Sequence, residues 1–213
     1  MSQTRPPPGS RHKLIEAAIA EFGRKGLEGT STRDIARRAG VNIAGIVYHF
    51  GGKDQLYLAC AEHIAQTVLQ GFRPPEGDAP LPPAAELKRI LAQVGRFMLA
   101  TPETADFARF VLREQMDPTP AFELLYAKVM APMHQRLCAL WGAATGADPE
   151  SERAKLKVFA LISQILFYRM ARAGALKRLG WTEVDNAEIE AIVKVASESV
   201  DTLIAAERRM SKK

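Results

Sequence analysis

The chain has 213 residues, 47% of them hydrophobic and 25% charged, with only two cysteines and a formal net charge of +5. That length supports a real core divided between one small and one larger domain, and no apolar run reaches the roughly twenty residues that a membrane span needs. Two isolated cysteines exclude a disulfide framework, and an N-terminus with Arg5 and three prolines but no apolar stretch excludes a signal peptide, so the expected location is cytoplasmic.

Residues 1–9 read as a disordered, proline-rich arm. Ser10 is placed to cap a helix running to Lys25, whose inner stripe is Ile15, Ala18, Ile19 and Phe22. Ser31 with Asp34 three residues later has the spacing of a capping box. The helix it opens carries Ile35, Ala36 and Ala39 on one stripe and stops at Gly40. Asn42 caps a second short helix, Ile43 to Phe50, with Ile46, Val47 and Phe50 expected to pack inward. Two short helices joined by three or four residues containing glycine make a helix-turn-helix. Gly52 and Lys53 open a longer helix to Gly71, whose first-turn N–H groups and lysine form an anion site. The stretch from Arg73 to Pro83, RPPEGDAPLPP, is too rich in proline and glycine for helix or strand. Five more helices are predicted: Ala84 to Ala100, Pro102 to Gln115, Pro120 to Ala144, Pro149 to Ala173 and Glu183 to Arg209. Thr101, Thr119 and Asp148 each stand as an N-cap before a first-turn proline. Period-two alternation is absent, so the fold class is all-α.

Charge is segregated along this pattern. Residues 1–53 hold nine Lys or Arg against four Asp or Glu, while the rest is balanced at twenty of each, so the whole net charge sits in the N-terminal quarter. That is the footprint of a polyanion partner. Small side chains at Ala44 and Gly45 let a helix backbone approach base edges, which Asn42 and Ile43 would share. Arg11, Thr30, Thr32, Arg33, Tyr48, His49 and Lys53 are placed to hold phosphates. A glutamate at position 45 is expected to abolish DNA binding and leave the fold intact.

Phe22, Gly26, Thr30, Thr32, Ile35, Ala36, Ala39, Gly40, Val41, Gly45, Tyr48, Phe50, Lys53 and Leu56 together resemble the DNA-binding domain of the TetR family of bacterial transcription regulators, over about residues 11 to 60. VNIAGIVYHFGGKDQLY and REQMDPTPAF resemble the CecR/YbiH-like branch with its CerR-type C-terminal domain, although Gly45 and Val47 depart from the alanine and asparagine expected there. The resemblance implies an N-terminal three-helix helix-turn-helix domain (10–53) and a larger effector-binding and dimerisation domain (54–213). It also implies a homodimer joined through its last two helices on double-stranded operator DNA. A repressor released from a pseudo-palindromic operator by a small-molecule effector is the reading it favours. An effector-independent architectural DNA-binding protein and a helical enzyme or ligand carrier remain the alternatives.

In the larger domain, Phe97, Phe107, Phe110, Tyr126, Met130 and Phe159, with the polar Arg113, Glu114 and His134, are the candidate effector contacts. Pro132 bends its helix and opens room beside it. The helix from Pro149 is apolar on two faces, one with Leu156, Phe159, Ala160, Phe167 and Met170, the other with Val158, Leu161, Ile162 and Ile165. A helix of that kind needs cover on both sides. The candidate dimer contacts are Leu161, Ile165, Tyr168, Ile192, Ala196, Val200 and Leu203. Cys60 and His63 share a ligand-like spacing without further ligands, and no phosphate loop, nucleophile elbow or isolated carboxylate pair appears. No metal, cofactor or enzymatic activity is expected.

Overall fold

A computed structural model describes residues 9–72, 79–99 and 102–210, apart from the side chains of residues 102 and 103. The regular structure of these residues is helical, with no strand among them. The order is α1 (Ser10–Lys25), α2 (Thr32–Ala39), α3 (Ala44–Phe50), α4 (Lys53–Gly71), α5 (Pro83–Leu99), α6 (Pro102–Met116), α7 (Pro120–Leu125), a π-helical turn (Tyr126–Met130), α8 (Ala131–Thr145), α9 (Glu152–Met170), α10 (Arg172–Leu179) and α11 (Asn186–Met210).

The chain packs as two units, one formed by the residues up to Leu69 with Ala105–Val129, the other by Gln70–Thr104 with the residues from Met130 onward. The first unit therefore extends past the boundary expected at residue 53. Its core explains why: Leu56, Tyr57, Cys60 and Ile64 of α4 are buried with Leu14, Ile15, Ile19 and Phe22 of α1. Tyr57 sits between Phe22 and Phe110, with ring centroids 4.7 and 4.6 Å away. Its hydroxyl donates to the fully buried Glu114 carboxylate at 2.5 Å, which also accepts from the Thr119 hydroxyl (2.7 Å) and backbone N–H (3.2 Å). Thr119 caps α7 through the Ala121 N–H, as its place before Pro120 predicts.

In the second unit α5, α8, α9 and α11 pack around Leu87, Ile90, Leu91, Leu137, Trp141, Val158, Leu161, Ile165, Ile192, Val193 and Val200. Gly95 permits the close passage of α5 against α11, since a Cβ there would lie 2.9 Å from Val193 Cγ2.

Several boundaries differ from expectation. Ser10 is the first helical residue of α1 and caps nothing. The helix predicted from Pro149 starts at Glu152, because Ser151 Oγ takes the Ala154 N–H as its cap while the Asp148 carboxylate accepts the Glu150 N–H, outside the helix. It ends at Met170, and Arg172–Leu179 forms a separate helix. The predicted Pro120 helix holds a π turn just before Pro132. A proline ring crowds the carbonyl four residues back, here Lys128, and the wider turn relieves that contact. Residues 1–8 of the arm, the Thr101 cap and residues 73–78 of the linker lie outside the described residues.

Candidate nucleic-acid interface

The first unit holds a short helix, α3, by its inner face. Gly40 closes α2 in the left-handed conformation (φ 65°), and the Val41 N–H returns to the Ala36 carbonyl at 3.1 Å. Asn42 Oδ1 then accepts the Ala44 N–H at 2.9 Å and caps α3. The capping box of α2 is half formed: Ser31 Oγ accepts the Asp34 N–H, but the Asp34 carboxylate turns to Lys25 and Arg37. Glu21, almost wholly buried, gathers Lys25 (2.9 Å), Arg38 (3.3 Å) and Arg24 (3.6 Å) and so ties α1 to α2. The Lys25 hydrogen bond, with the neighbouring positive charges, holds the Glu21 carboxyl below its usual range.

At about 100° per residue, α3 presents positions 43, 44, 47 and 48 on one side and 45, 46, 49 and 50 on the other. Gly45 and Ile46 are buried, His49 Nε2 lies 2.7 Å from Ser10 Oγ, and Phe50 is half-buried with the Arg11 guanidinium 5.2 Å above its ring. Ile43, Ala44, Val47 and Tyr48 face solvent, with Val47 66% exposed. Two expectations are corrected. Gly45 faces inward, where a Cβ would meet Leu14 Cδ1 at 3.6 Å, and Val47 faces outward. Small size does not mark the outer face: Ala44 is exposed and Gly45, beside it, is buried.

Other expected DNA contacts are occupied within the protein. Thr30 is buried, its hydroxyl donating to the Gly26 carbonyl at 2.7 Å and the Glu21 carbonyl at 3.2 Å, so it reaches no phosphate. The Lys53 ammonium donates to the Leu27 carbonyl at 2.9 Å and the Thr30 carbonyl at 3.5 Å, fastening α4 to the turn between α1 and α2. Arg11 and Arg33 are exposed and Thr32 is half-buried in the first turn of α2. Ser10 and Glu21 were missed as the residues that seat α3 and α2. Only the spacing of Glu21 to Arg24 and Lys25, one helical turn away, hinted at the second.

The candidate effector contacts divide between the two units. In the first unit Phe110 is a fully buried core ring, Glu114 is filled by protein donors, and Arg113 donates to the Arg24 carbonyl. Phe107 meets His63 edge-on at 5.9 Å, and Tyr126 stacks on Phe122. In the second unit Phe97 packs beside Phe72, Met130 is partly buried, and His134 stacks on Phe159, which is 59% exposed and therefore lines no enclosed site.

The dimer candidates require a correction as well. Leu161, Ile165, Ile192, Ala196 and Val200 are buried in their own chain, with Tyr168 and Leu203 partly so. The opposite face of α9 is the uncovered one: Leu156, Phe159, Phe167 and Met170 are each more than half exposed. Beside it, Ser163, Gln164, Phe167, Tyr168, Ile192, Val195 and Ala196 line an open recess of about 410 Å³. Periodicity revealed both stripes, but packing decided which one its own chain covers.

Among the described residues no group of three His, Cys, Asp or Glu could hold a metal ion, and no helix is long and apolar enough to cross a membrane. Burial pushes the Cys60 thiol far up, so it packs as a small apolar group.

The sequence pattern described as "Bacterial regulatory proteins, tetR family" matches residues 14–60, which hold most of α1, all of α2 and α3, and the start of α4. The pattern described as "HTH-type transcriptional dual regulator CecR, C-terminal domain" matches residues 83–207, more than half of the chain. The chain belongs to the TetR family. It is a TetR-family transcription regulator with a CecR-type C-terminal domain. It is 37% identical over 204 residues to the HTH-type transcriptional dual regulator CecR of Shigella flexneri, covering 92% of this chain and 91% of that protein. The fold is similar to that of a TetR-like transcriptional regulator from Rhodococcus sp. RHA1, with a TM-score of 0.69 and 18% identity over 94% of this chain and 99% of the other. It is also similar to AibR, solved in complex with isovaleryl coenzyme A and operator DNA, with a TM-score of 0.68 and 15% identity over 88% of this chain and 96% of the other.

Proposed function

We propose that this TetR-family regulator is a homodimeric repressor whose two α3 helices enter successive major grooves of a pseudo-palindromic operator. The observation that carries the proposal is the solvent face of α3, held rigidly from behind and set in the part of the chain that holds all the net positive charge. Asn42, Ile43, Ala44 and Val47 face the base edges, while Arg11, Thr32, Arg33 and Tyr48 take phosphates. Thr30, Lys53 and His49 act behind them by holding the turn, α4 and α3 in place.

The second subunit covers the α9 stripe of Leu156, Phe159, Phe167 and Met170, four large apolar side chains on one helix that are each more than half exposed. A small-molecule effector binds within residues 83–207 and releases the operator through its unequal affinity for the DNA-bound and free conformations. AibR's capture with both an acyl coenzyme A and operator DNA supports a ligand-responsive reading of this fold.

The test is selection of genomic fragments by the full-length protein, followed by footprinting and sedimentation. A dimer protecting two half-sites about 34 Å apart is expected, and Phe167→Glu should give a folded monomer that loses the site. Compounds that release the fragments then identify the effector class. A wild-type monomer, or binding without preference over bulk competitor DNA, ends the proposal. The latter outcome points to an architectural protein, and indifference to DNA at physiological salt points to a carrier or enzyme.

A further inference from the structure

Resting on the placement of α3 in the major groove, we propose that Ile43 and Val47 are specificity residues, each reading the C5-methyl group of a thymine. The outward face of α3 has an unusual chemistry for a DNA-reading surface. Ile43 is 42% exposed, Val47 66% and Tyr48 58%, and the fourth member is Ala44. The face carries no arginine, lysine or glutamine, so it offers no bidentate donor for the O6 and N7 atoms of guanine. Of the nearby cations, Arg37 pairs with Asp34, Arg38 with Glu21 and Lys53 with two carbonyls, while the exposed Arg11 and Arg33 are the ones assigned to phosphates. Asn42, at the helix tip, already accepts the Ala44 N–H with its Oδ1.

What remains is a ridge of branched apolar side chains four residues apart. In the major groove the edges of adenine, guanine and cytosine are polar, and the thymine methyl is the apolar feature. Ile43 and Val47 are β-branched and therefore stiff about χ1, so they present their methyl groups in a set direction. The helix beneath them is equally constrained. Ile46 is buried, Gly45 lies against Leu14, and His49 is bonded to Ser10. A rigid apolar ridge discriminates by burying a methyl group, and it loses that contact when a base without one takes the position. The positive charge of the surrounding segment supplies attraction to the phosphates and leaves the choice of base to the ridge.

The experiment replaces each thymine of the strongest selected operator by deoxyuridine, one at a time, which removes the methyl group and keeps the pairing edge. Wild-type affinity should fall about fourfold at one or two positions in each half-site, the value of one buried methyl-sized group. In Val47→Ala the thymine-to-deoxyuridine ratio at one of these positions should fall to about one, with the other position still discriminating. The exposure of Val47 keeps this variant folded, and an unchanged melting temperature checks that. If no deoxyuridine weakens the wild type, thymine methyl groups are not read. If Val47→Ala weakens both DNAs equally and preserves the ratio, Val47 acts as a spacer and its assignment is overturned. Normal operator binding by Val47→Glu would instead remove α3 from the groove, which separates failure of the underlying placement from failure of the thymine assignment.

Discussion

Gly45→Ala distinguishes an inward from an outward position 45 by its effect on DNA binding. Gly45 lies inside α3 and outside the positive-φ glycines, so alanine takes the same backbone without strain. The one atom near an added Cβ is Leu14 Cδ1 at 3.6 Å, an ordinary van der Waals contact that no neighbour must yield to. Removing the excess chain freedom of a helical glycine is worth roughly 0.5–1 kcal/mol. For a chain of this size that raises the melting temperature by about 1–4 °C. Thermal unfolding followed by circular dichroism measures the shift, and a gel shift on the selected operator should show affinity within about twofold of wild type. A glutamate at the same position would press a carboxylate against the fully buried Leu14 and displace α3. Its loss of DNA binding would then follow from a damaged fold, contrary to the expectation that the fold survives. If Gly45→Ala lowers operator affinity more than tenfold while the fold is kept, position 45 faces DNA and the inward assignment is wrong; a lowered melting temperature would mean that the space beside Leu14 does not accept the methyl group.

Three further outcomes are expected. Tyr57→Phe removes one of the donors to the buried Glu114 carboxylate, leaving the two from Thr119, and should cost about 1.5–3 kcal/mol. It should be read as a lower urea midpoint at constant slope, and a change under 0.5 kcal/mol would mean that the hydrogen bond carries no weight. For Glu21, the folded pKa lies below the ordinary 4.5, so its stabilisation is present above that value and lost as pH falls through the folded value. Glu21→Gln should therefore cost about 1 kcal/mol at neutral pH, and its deficit should close on acidification below pH 4.5; a deficit that persists unchanged at pH 3 refutes the linkage. Arg33→Gln should weaken binding to all DNA sequences and shallow the logarithmic salt dependence by about one unit. An unchanged slope would remove Arg33 from the phosphates.

The all-helical class, the order of the short α2 and α3 helices and the basic N-terminal segment follow from local rules. Ser31, Gly40, Asn42 and Thr119 act within a few residues of themselves, so their caps and stops were legible and form, although the Asp34 half of the box at Ser31 goes to Lys25 and Arg37 instead. Where α9 starts was less legible, because Ser151 and Asp148 compete as caps within three residues of each other.

Tertiary packing decided which side of each helix does what. Thr30 and Lys53 look like phosphate ligands until their partners, the carbonyls of Glu21, Gly26 and Leu27, are brought beside them by the fold of α1 and its following turn. Gly45 and Val47 exchanged roles for the same reason, since helical periodicity fixes which residues share a face but not which face meets Leu14. On α9 the two apolar stripes are equivalent in sequence, and contact with α5, α8 and α11 buried Leu161 and Ile165 and left Phe167 and Met170 to solvent. Capping and periodicity are properties of a few neighbouring residues and can be read from their order. Burial depends on residues distant in the chain, so the choice of face belongs to the folded molecule.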